Sequence, residues 1–155
     1  GWFADKMGQR DRRWYVWGSA IMILAITPVL LVILTTGDMK LALLLTGVFH
    51  FLSASYLGPA LAVSHGLVGL RMRALTSAIF FFFINLIGLG LGPFIVGNLS
   101  DRFMAAGSET ALPTAMLIVG CAASLWGGAH YLLASRHIRK DIADSPASAP
   151  KVEAL

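Results

Sequence analysis

The chain has 155 residues, of which 57% are hydrophobic and 13% charged, and its mean hydropathy is +0.74. A soluble domain carries about 25% charged residues, so this composition excludes an ordinary cytosolic enzyme; it also excludes a disordered chain, which needs high charge and low hydrophobicity. The single cysteine, Cys121, excludes a disulfide framework and a cysteine-based zinc site. The net charge of +4 is carried by basic residues at the ends of apolar segments, which indicates a membrane rather than a nucleic acid.

Four segments contain no Asp, Glu, Lys or Arg: residues 14–37, 41–70, 74–100 and 110–135. About 20 residues of α-helix, at about 1.5 Å each, cross a hydrocarbon core about 30 Å thick, so each segment is long enough to cross once. Continuous apolarity is typical of helices rather than of barrel strands. The first segment is too long for a signal peptide, and three more follow it. We predict an all-α membrane protein with four transmembrane helices, at residues 14–36, 41–68, 74–98 and 111–135.

The basic residues divide the ends and connections of these helices into two groups. Ten of them lie in the N-terminal stretch, the second connection and the C-terminal tail: Lys6, Arg10, Arg12, Arg13, Arg71, Arg73, Arg136, Arg139, Lys140 and Lys151. The first and third connections hold only Lys40 and Arg102. Under the positive-inside rule this split predicts that both termini are cytoplasmic, in a multi-pass protein of the bacterial inner (plasma) membrane. Residues 1–13 are then a cytoplasmic loop, and residues 136–155 a disordered cytoplasmic tail.

The N-terminal loop begins with Gly-Trp-Phe-Ala-Asp-Lys-Met-Gly-Gln-Arg. This stretch matches the pattern Gly-x-x-x-Asp-(Arg/Lys)-x-Gly-(Arg/Lys)-(Arg/Lys) at Gly1, Asp5, Lys6, Gly8 and Arg10. The chain thereby resembles the major facilitator superfamily, in which the motif follows the second and, in a weaker form, the eighth of twelve helices. The resemblance implies that the four segments are helices nine to twelve, and that the motif is a conformational latch between the two halves of a transporter.

The third segment is similar to the spinster-like branch of that superfamily. A loop with Arg71 and Arg73 leads into the pattern Gly-x-x-x-x-Pro-x-x-x-Gly-x-x-Ser-Asp, which runs from Gly88 to Asp101. The branch resemblance implies a lipid-like substrate such as a lysolipid or a sphingoid compound. Residues 97–102 echo the N-terminal motif, but three crossings separate the two and the second half of the motif is missing, so we interpret these residues as a helix end.

Polar residues inside apolar helices are candidates for function, and the four segments contain no carboxylate. In the second segment, His50, Ser53 and Tyr56 follow one another at i,i+3 spacing, which places them on one helical face. This stripe and Asn85 of the third segment either line a substrate cavity or hydrogen-bond neighbouring helices, at about 0.6 kcal/mol per bond.

Small residues and prolines mark three segments. A candidate hinge in the third segment consists of Gly88, Gly90, Gly92 and Pro93. Interrupted helices in transporters bend near the substrate path, which favours a hinge over ordinary packing here. Pro59 lacks an amide donor and predicts a kink in the second segment. In the fourth segment, a ridge of small residues either serves function or permits close helix packing: Gly120, Ser124 and Gly128.

The histidines outside the stripe show no metal-ligand spacing. His65 and His137 lie near cytoplasmic helix ends, and His130 is interpreted as a packing residue. We therefore expect neither a metal ion nor a cofactor. Arg71 and Arg73 either bind anionic headgroups, form a gate or only mark the topology, and the last interpretation is favoured.

The sequence as a whole predicts the C-terminal segment of a secondary active transporter of the major facilitator type. Such a protein moves a small organic or lipid-like solute by alternating access. The expected partners are the lipid bilayer, the N-terminal helices and the solute, but no nucleic acid. The chain offers no active-site constellation, so an enzyme is not expected. The alternative is a stand-alone four-helix membrane protein that serves as an accessory subunit or a small homo-oligomeric exporter.

Overall fold

The structure is a computed structural model that describes Asp11 and residues 13–145. All regular structure in this part of the chain is helical. Four helical stretches are long and apolar enough to cross a membrane, which confirms the predicted fold class. We call them the first to fourth spans, and they comprise Arg13–Thr35, Met39–Gly66, Leu70–Ala105 and Ala111–Ala134.

The first span is a single helix, α1 (Arg13–Thr35). It begins after Asp11 because this aspartate satisfies two of the amides that open the helix. Its carboxylate accepts a hydrogen bond from the Arg13 amide at 3.0 Å, and its carbonyl accepts one from the Trp14 amide at 3.0 Å. The helix continues through Pro28 without a break.

The second span consists of two helices, α2 (Met39–Ser55) and α3 (Leu57–Gly66). Asp38 caps α2, since its carboxylate accepts hydrogen bonds from the amides of Lys40 and Leu41 at 2.8 and 3.3 Å. The break falls at Tyr56 and follows from Pro59. A proline at this position offers no amide to the carbonyl four residues earlier and clashes with it, so the α-helix is interrupted where the sequence predicts.

The third span changes its helical form along its length. A short 3₁₀ turn (Leu70–Met72) leads into α4 (Arg73–Phe83), then a π-helix (Ile84–Leu91), and then α5 (Gly92–Ala105). The π-helix is eight residues long, whereas π-helical geometry usually occurs only as a single-turn bulge.

The third span ends in a Schellman motif. Gly107 has a φ of 84°, a left-handed conformation that favours glycine. The Ser108 amide donates to the Phe103 carbonyl at 3.0 Å, and the Gly107 amide donates to the Met104 carbonyl at 2.9 Å. The echo of the N-terminal motif at residues 97–102 therefore lies inside the last turns of a helix.

The fourth span, α6 (Ala111–Ala134), packs antiparallel along α1. These two helices hold most of the buried residues of the described chain: Val16, Ser19, Ala20, Ile23 and Leu30 on α1, and Ala111, Ala115, Ser124 and Gly128 on α6. The most apolar stretches of the second and third spans contain no buried residue. The core of the described part is thus the seam between its first and last spans.

A short helix, α7 (Ile138–Ala143), follows the fourth span. This helix corrects the expectation that residues 136–155 form a disordered tail. Ile138 and Ile142 are 4% and 7% exposed and pack against Val16, because their i,i+4 spacing gives one apolar face to an otherwise polar segment. Residues 146–155 lie outside the described part.

The two ends of the described chain lie at the same end of the bundle. The Ser145 hydroxyl donates to the carbonyl of Gly66, the last residue of the second span, at 3.1 Å. Arg139 pairs with Asp11, which precedes the first span. The first span therefore starts at the end of the bundle where the second and fourth spans finish, as four antiparallel crossings require.

Candidate functional site

The predicted N-terminal motif, with Gly1, Asp5, Lys6, Gly8 and Arg10, lies outside the described residues. The nearest described residue is Asp11, which is not among the predicted site residues. Its carboxylate receives two hydrogen bonds from the Arg139 guanidinium, one from Nε at 3.1 Å and a shorter one from the terminal nitrogen. This bidentate pair joins the start of the first span to α7.

The Asp11–Arg139 pair changes the acidity of both groups. The Arg139 guanidinium, followed by the Arg13 amide, holds the pKa of Asp11 below its ordinary value, and the Asp11 carboxylate raises the pKa of Arg139. Both side chains therefore stay charged across the physiological range. In the sequence, Asp11 is a charged residue just before the first span, and Arg139 is one just after the fourth span. The two are 128 residues apart, so spacing alone does not show that they pair.

The candidate cavity residues of the second span lie on both sides of its break. His50 is exposed on α2, and its Nδ1 is 2.8 Å from the Thr46 carbonyl, so this nitrogen donates within the helix. Ser53 is half-buried, and Tyr56 occupies the interruption. The i,i+3 stripe thus runs along a regular helix from His50 to Ser53 and reaches irregular backbone at Tyr56.

The break in the second span also contacts the first span. The Ser19 hydroxyl is fully buried, donates to the Tyr15 carbonyl at 3.0 Å and lies 3.5 Å from the Tyr56 carbonyl. This contact places a polar group of the first span against the interrupted backbone, and it was not expected from the sequence, where Ser19 is one small residue among many.

Asn85 lies in the π-helix and is exposed. Its Nδ2 donates to the Phe81 carbonyl at 2.7 Å. Among the described residues no hydrogen bond joins Asn85 to His50 or to any other span. Its Oδ1 accepts no hydrogen bond from another residue within the described part of the chain.

The predicted hinge coincides with the end of the π-helix. Gly88 and Gly90 lie within the π-helix, whereas Gly92 and Pro93 open α5. The Gly92 amide donates to the Ile87 carbonyl, five residues back, which is the π register. Pro93 offers no amide to the next carbonyl and would clash with the carbonyl of Leu89 in an α register, which favours the wider winding.

The small-residue ridge of the fourth span packs against the first span. A Cβ atom at Gly120 would collide with Leu30, and one at Gly128 would collide with Leu24. Between these contacts, the hydroxyls of Thr27 and Ser124 are 2.6 Å apart and share a hydrogen bond. Three contacts between the first and fourth spans thus form the seam: Leu30 with Gly120, Thr27 with Ser124, and Leu24 with Gly128. Packing is therefore the role that the structure gives to the ridge.

The second and third spans meet at one polar contact near the basic end of the bundle. Nε2 of His65 and the Ser77 hydroxyl are 2.7 Å apart.

His130, on the fourth span, contacts the Trp126 ring with a ring-centroid distance of 4.6 Å, and its Nδ1 donates to the Trp126 carbonyl at 2.9 Å. Within the described residues, no three His, Cys, Asp or Glu side chains lie close enough together to hold a metal ion.

An open apolar cleft of about 360 Å³ lies along the third span just before the Asn85 position. Its lining consists of Thr76, Ile79, Phe80, Phe83 and Ile84. Two of the four consecutive phenylalanines thus line this cleft, whereas Phe81 and Phe82 are exposed elsewhere on the helix. The cleft offers room for an apolar group beside the π-helix.

The chain is 35% identical over 142 residues to a protein named MFS-type efflux pump from Mycolicibacterium smegmatis (strain ATCC 700084 / mc(2)155). The match covers 92% of this chain and 33% of the relative, so the chain spans about a third of the length of the curated relative that it matches. No family model matches, and no solved structure gives a significant match. The chain is thus similar, over most of its length, to part of a protein named MFS-type efflux pump, and it has four helices that are long and apolar enough to cross a membrane.

Proposed function

We propose that this chain is part of a secondary active transporter of the major facilitator type that exports a small organic or lipid-like solute. The observation that carries this proposal is the 35% identity to an MFS-type efflux pump over 92% of the chain. It agrees with the Gly-x-x-x-Asp-Lys-x-Gly-x-Arg motif at Gly1 to Arg10. A transporter of this kind needs no enzymatic centre, because transport follows from rocking of two helical bundles about a site near the midplane of the membrane.

The packing of the described helices supports the proposal that further helices complete the protein. The first and fourth spans bury a seam between them, whereas the most apolar stretches of the second and third spans contain no buried residue. We assign the four spans to helices nine to twelve of a twelve-helix fold. In this assignment the remaining helices lie against the second and third spans, and the cavity lies on that side.

The orientation of the termini, the branch of the superfamily and the role of the N-terminal motif are proposed from the sequence. Both termini are cytoplasmic, because the end of the bundle with Arg13, Arg73 and Arg139 carries the excess of basic residues. The pattern from Gly88 to Asp101 favours the spinster-like branch. The N-terminal motif around Asp5 is a latch between the halves of the transporter.

The proposed cavity surface consists of His50, Ser53, Tyr56 and Asn85. Its support is the exposure of His50 and Asn85 within apolar spans and the irregular backbone at Tyr56. Irregular backbone at membrane depth occurs where it is buried in protein or lines a water-filled cavity. The segment from Gly88 to Pro93 is the hinge of the third span.

An efflux assay tests this function. The full-length protein is expressed in a bacterium that lacks its own drug exporters, and the efflux rate is measured for a panel of amphiphilic dyes and lysolipids. We expect efflux with the native protein, and a roughly threefold to tenfold lower rate for Asn85→Leu, which removes one hydrogen-bonding side chain from the cavity. The matched control is Asn98→Leu, an exposed asparagine on α5 of the same span, which should retain the native rate.

Two results would contradict the proposal. Absence of efflux for every compound, at normal expression in the membrane, would reject the transporter. Equal rates for Asn85→Leu, Asn98→Leu and the native protein would reject the role of Asn85 in the cavity.

A further inference from the structure

The short helix α7 connects the end of the second span to the first and fourth spans. Ile138 and Ile142 of α7 pack against Val16 of the first span, and three partly buried side chains complete the cluster: Val63, Leu67 and Tyr131. Val63 lies on α3, Leu67 directly follows α3, and Tyr131 lies on the fourth span. One apolar cluster therefore joins α7 to three spans at the basic end of the bundle.

Two polar contacts add to this cluster. The Ser145 hydroxyl, just beyond α7, donates to the carbonyl of Gly66, the last residue of α3, at 3.1 Å. The Arg139 guanidinium donates to the Asp11 carboxylate, which lies before the first span. Helix α3 is therefore tied to α7 at its last residue, and α7 is tied in turn to the start of the first span.

Helix α3 is anchored at its other end by burial. Its buried residues are Pro59 and Ala60, in the first turn. The Ser19 hydroxyl of the first span lies 3.5 Å from the Tyr56 carbonyl, just before that turn. The interruption at Tyr56 separates α3 from α2, so the two halves of the second span can move separately. A rotation of α3 about its first turn has to break the contacts of its last turn with α7.

The last turn of α3 also contacts the third span. Nε2 of His65, on α3, and the Ser77 hydroxyl of α4 are 2.7 Å apart. A displacement of the last turn of α3 is therefore passed on to the start of the third span. In this way α7 is linked to the second span directly and to the third span through α3.

Helix α7 has the properties of an element that releases easily. It is six residues long, and isolated helices shorter than about 12 residues are marginal in water, so its docking keeps it helical. Arg139 is 59% exposed in its ion pair, so this pair contributes little. A cavity of about 250 Å³ remains between α1, α3 and α7, and its lining consists of Tyr15, Ala62, Val63, Gly66 and Ile142. Few buried contacts and incomplete packing are typical of segments that open locally.

We propose that α7 is a releasable strap. Docked α7 holds the last turn of α3 against the first span, and its release lets α3 turn about its first turn and carry the start of the third span with it. The strap rests on the proposed function, because this movement is a step of the transport cycle.

Hydrogen exchange in the full-length protein in nanodiscs tests the tie between α7 and α3 without any transport. Ile142→Asp places a carboxylate at a position that is 7% exposed, so α7 should undock. Exchange in residues 62–66, the end of α3, should then rise about tenfold, while exchange in α2 should stay within about twofold of the native rate. Ile142→Ala is the milder form of this change and should give a smaller rise in the same residues. The matched control is Lys140→Asp, which introduces a carboxylate at an exposed position of α7 and should keep the native pattern.

A reversible cross-link tests whether the cycle needs the release of α7. In a full-length protein whose other cysteines are replaced by serine, Asp11→Cys and Arg139→Cys place thiols at the two positions of the ion pair. A short bis-methanethiosulfonate reagent joins the two thiols and locks α7 in its docked position. We expect the locked protein to export at least about tenfold more slowly, and a reductant to restore the rate. Each single-cysteine variant, treated with the same reagent, is the control and should export normally.

The outcomes separate the strap from the transporter. Native exchange in residues 62–66 of Ile142→Asp would overturn the tie between α7 and α3, and an equal rise throughout α2 would reduce α7 to a general support of the bundle. A locked protein that exports at the native rate would overturn the strap and leave the transporter in place. Absence of export by the native protein would reject the proposed function and the role of the strap in it, whereas the exchange result still decides whether α7 holds α3.

Discussion

The outer pair of spans, the first and fourth, differs from the inner pair, the second and third, in the regularity of the helical backbone. The first and fourth spans are uninterrupted α-helices that meet along a seam of small residues, with the Thr27–Ser124 hydrogen bond at its centre. The second and third spans contain a break at Tyr56 and a π-helix at Ile84–Leu91. The two uninterrupted helices thus form the main packing seam, whereas the π-helix contains no buried residue and the break at Tyr56 contacts the first span through Ser19.

Proline position explains part of this difference. Pro28 is accommodated in α1 with the helix intact, whereas Pro59 and Pro93 accompany changes of helical form. Burial alone does not decide the outcome, since Pro28 is exposed in an intact helix and Pro59 is buried beside an interruption. A proline is therefore a weak signal by itself.

The largest effect is expected from filling the seam. The double variant Gly120→Leu/Gly128→Leu places side chains where even a Cβ would collide with Leu30 and Leu24. Overpacking costs about 1–3 kcal/mol per site, so the free energy of unfolding should fall by about 2–6 kcal/mol in the double variant. The measurement is the unfolding midpoint of the full-length protein in detergent, which should fall with it. Gly37→Leu is the control, because Gly37 lies in the exposed connection after the first span and no described atom lies within 4 Å of its Cβ position. An unchanged midpoint in the double variant would show that the seam is absent.

A smaller effect is expected at the C-terminal helix. Ile138→Ala removes most of a side chain that is 4% exposed in the cluster with Val16. Loss of this burial should cost about 1.5–3 kcal/mol locally, so amide hydrogen exchange in residues 138–143 should accelerate by a factor of ten or more. The exposed neighbour Lys140→Ala should leave exchange nearly unchanged. Fast exchange in the native protein would contradict the packing of this helix.

The Thr27–Ser124 hydrogen bond is expected to contribute less than either apolar contact. A double-mutant cycle of Thr27→Val and Ser124→Ala should give a coupling energy of about 0.6 kcal/mol, the average for such bonds in membranes. A cycle of Thr46→Val with Ser124→Ala should give no coupling, because Thr46 bonds only its own helix, at the Ala42 carbonyl. Coupling of equal size in both cycles would argue against a direct bond.

The smallest effect is expected at the Asp11–Arg139 pair, which is exposed to solvent. The folded protein lowers the pKa of Asp11, so this pair stabilises the docked α7 at neutral pH and the contribution is lost as the pH falls through the lowered pKa. Exchange in residues 138–143 should be slightly faster in Asp11→Asn from pH 8 to 5, and the difference from the native protein should vanish only as the pH falls below the lowered pKa of Asp11. Asp141→Asn serves as the control. A difference that grows with acidity would contradict the assigned sign.

The sequence predicts the four spans well because their signal is strong and local. Charge-free segments longer than the membrane thickness leave little choice, and Pro59 already marks the interruption of the second span. The C-terminal helix was missed because Ile138 and Ile142 are only two apolar residues in a polar stretch. Their partner Val16 lies far away in the sequence, so burial could not be inferred from spacing.

The candidate site is only partly predictable for a related reason. The glycines and Pro93 predict an unusual segment, but a π-helix depends on which amide meets which carbonyl, and composition does not determine that register. For the same reason His50 and Asn85 are visible as polar residues in apolar spans, whereas the partners that they face remain proposals. The N-terminal motif lies outside the described residues and stays a prediction.

We propose that further helices of one protein complete the second and third spans. The intact mass of the native membrane protein that carries this sequence, captured from membranes through residues 146–155, tests this proposal. The relative matches this chain over 33% of its length, so we predict a mass of roughly three times 16.6 kDa. A mass near 16.6 kDa would contradict this proposal and favour an oligomeric four-helix protein.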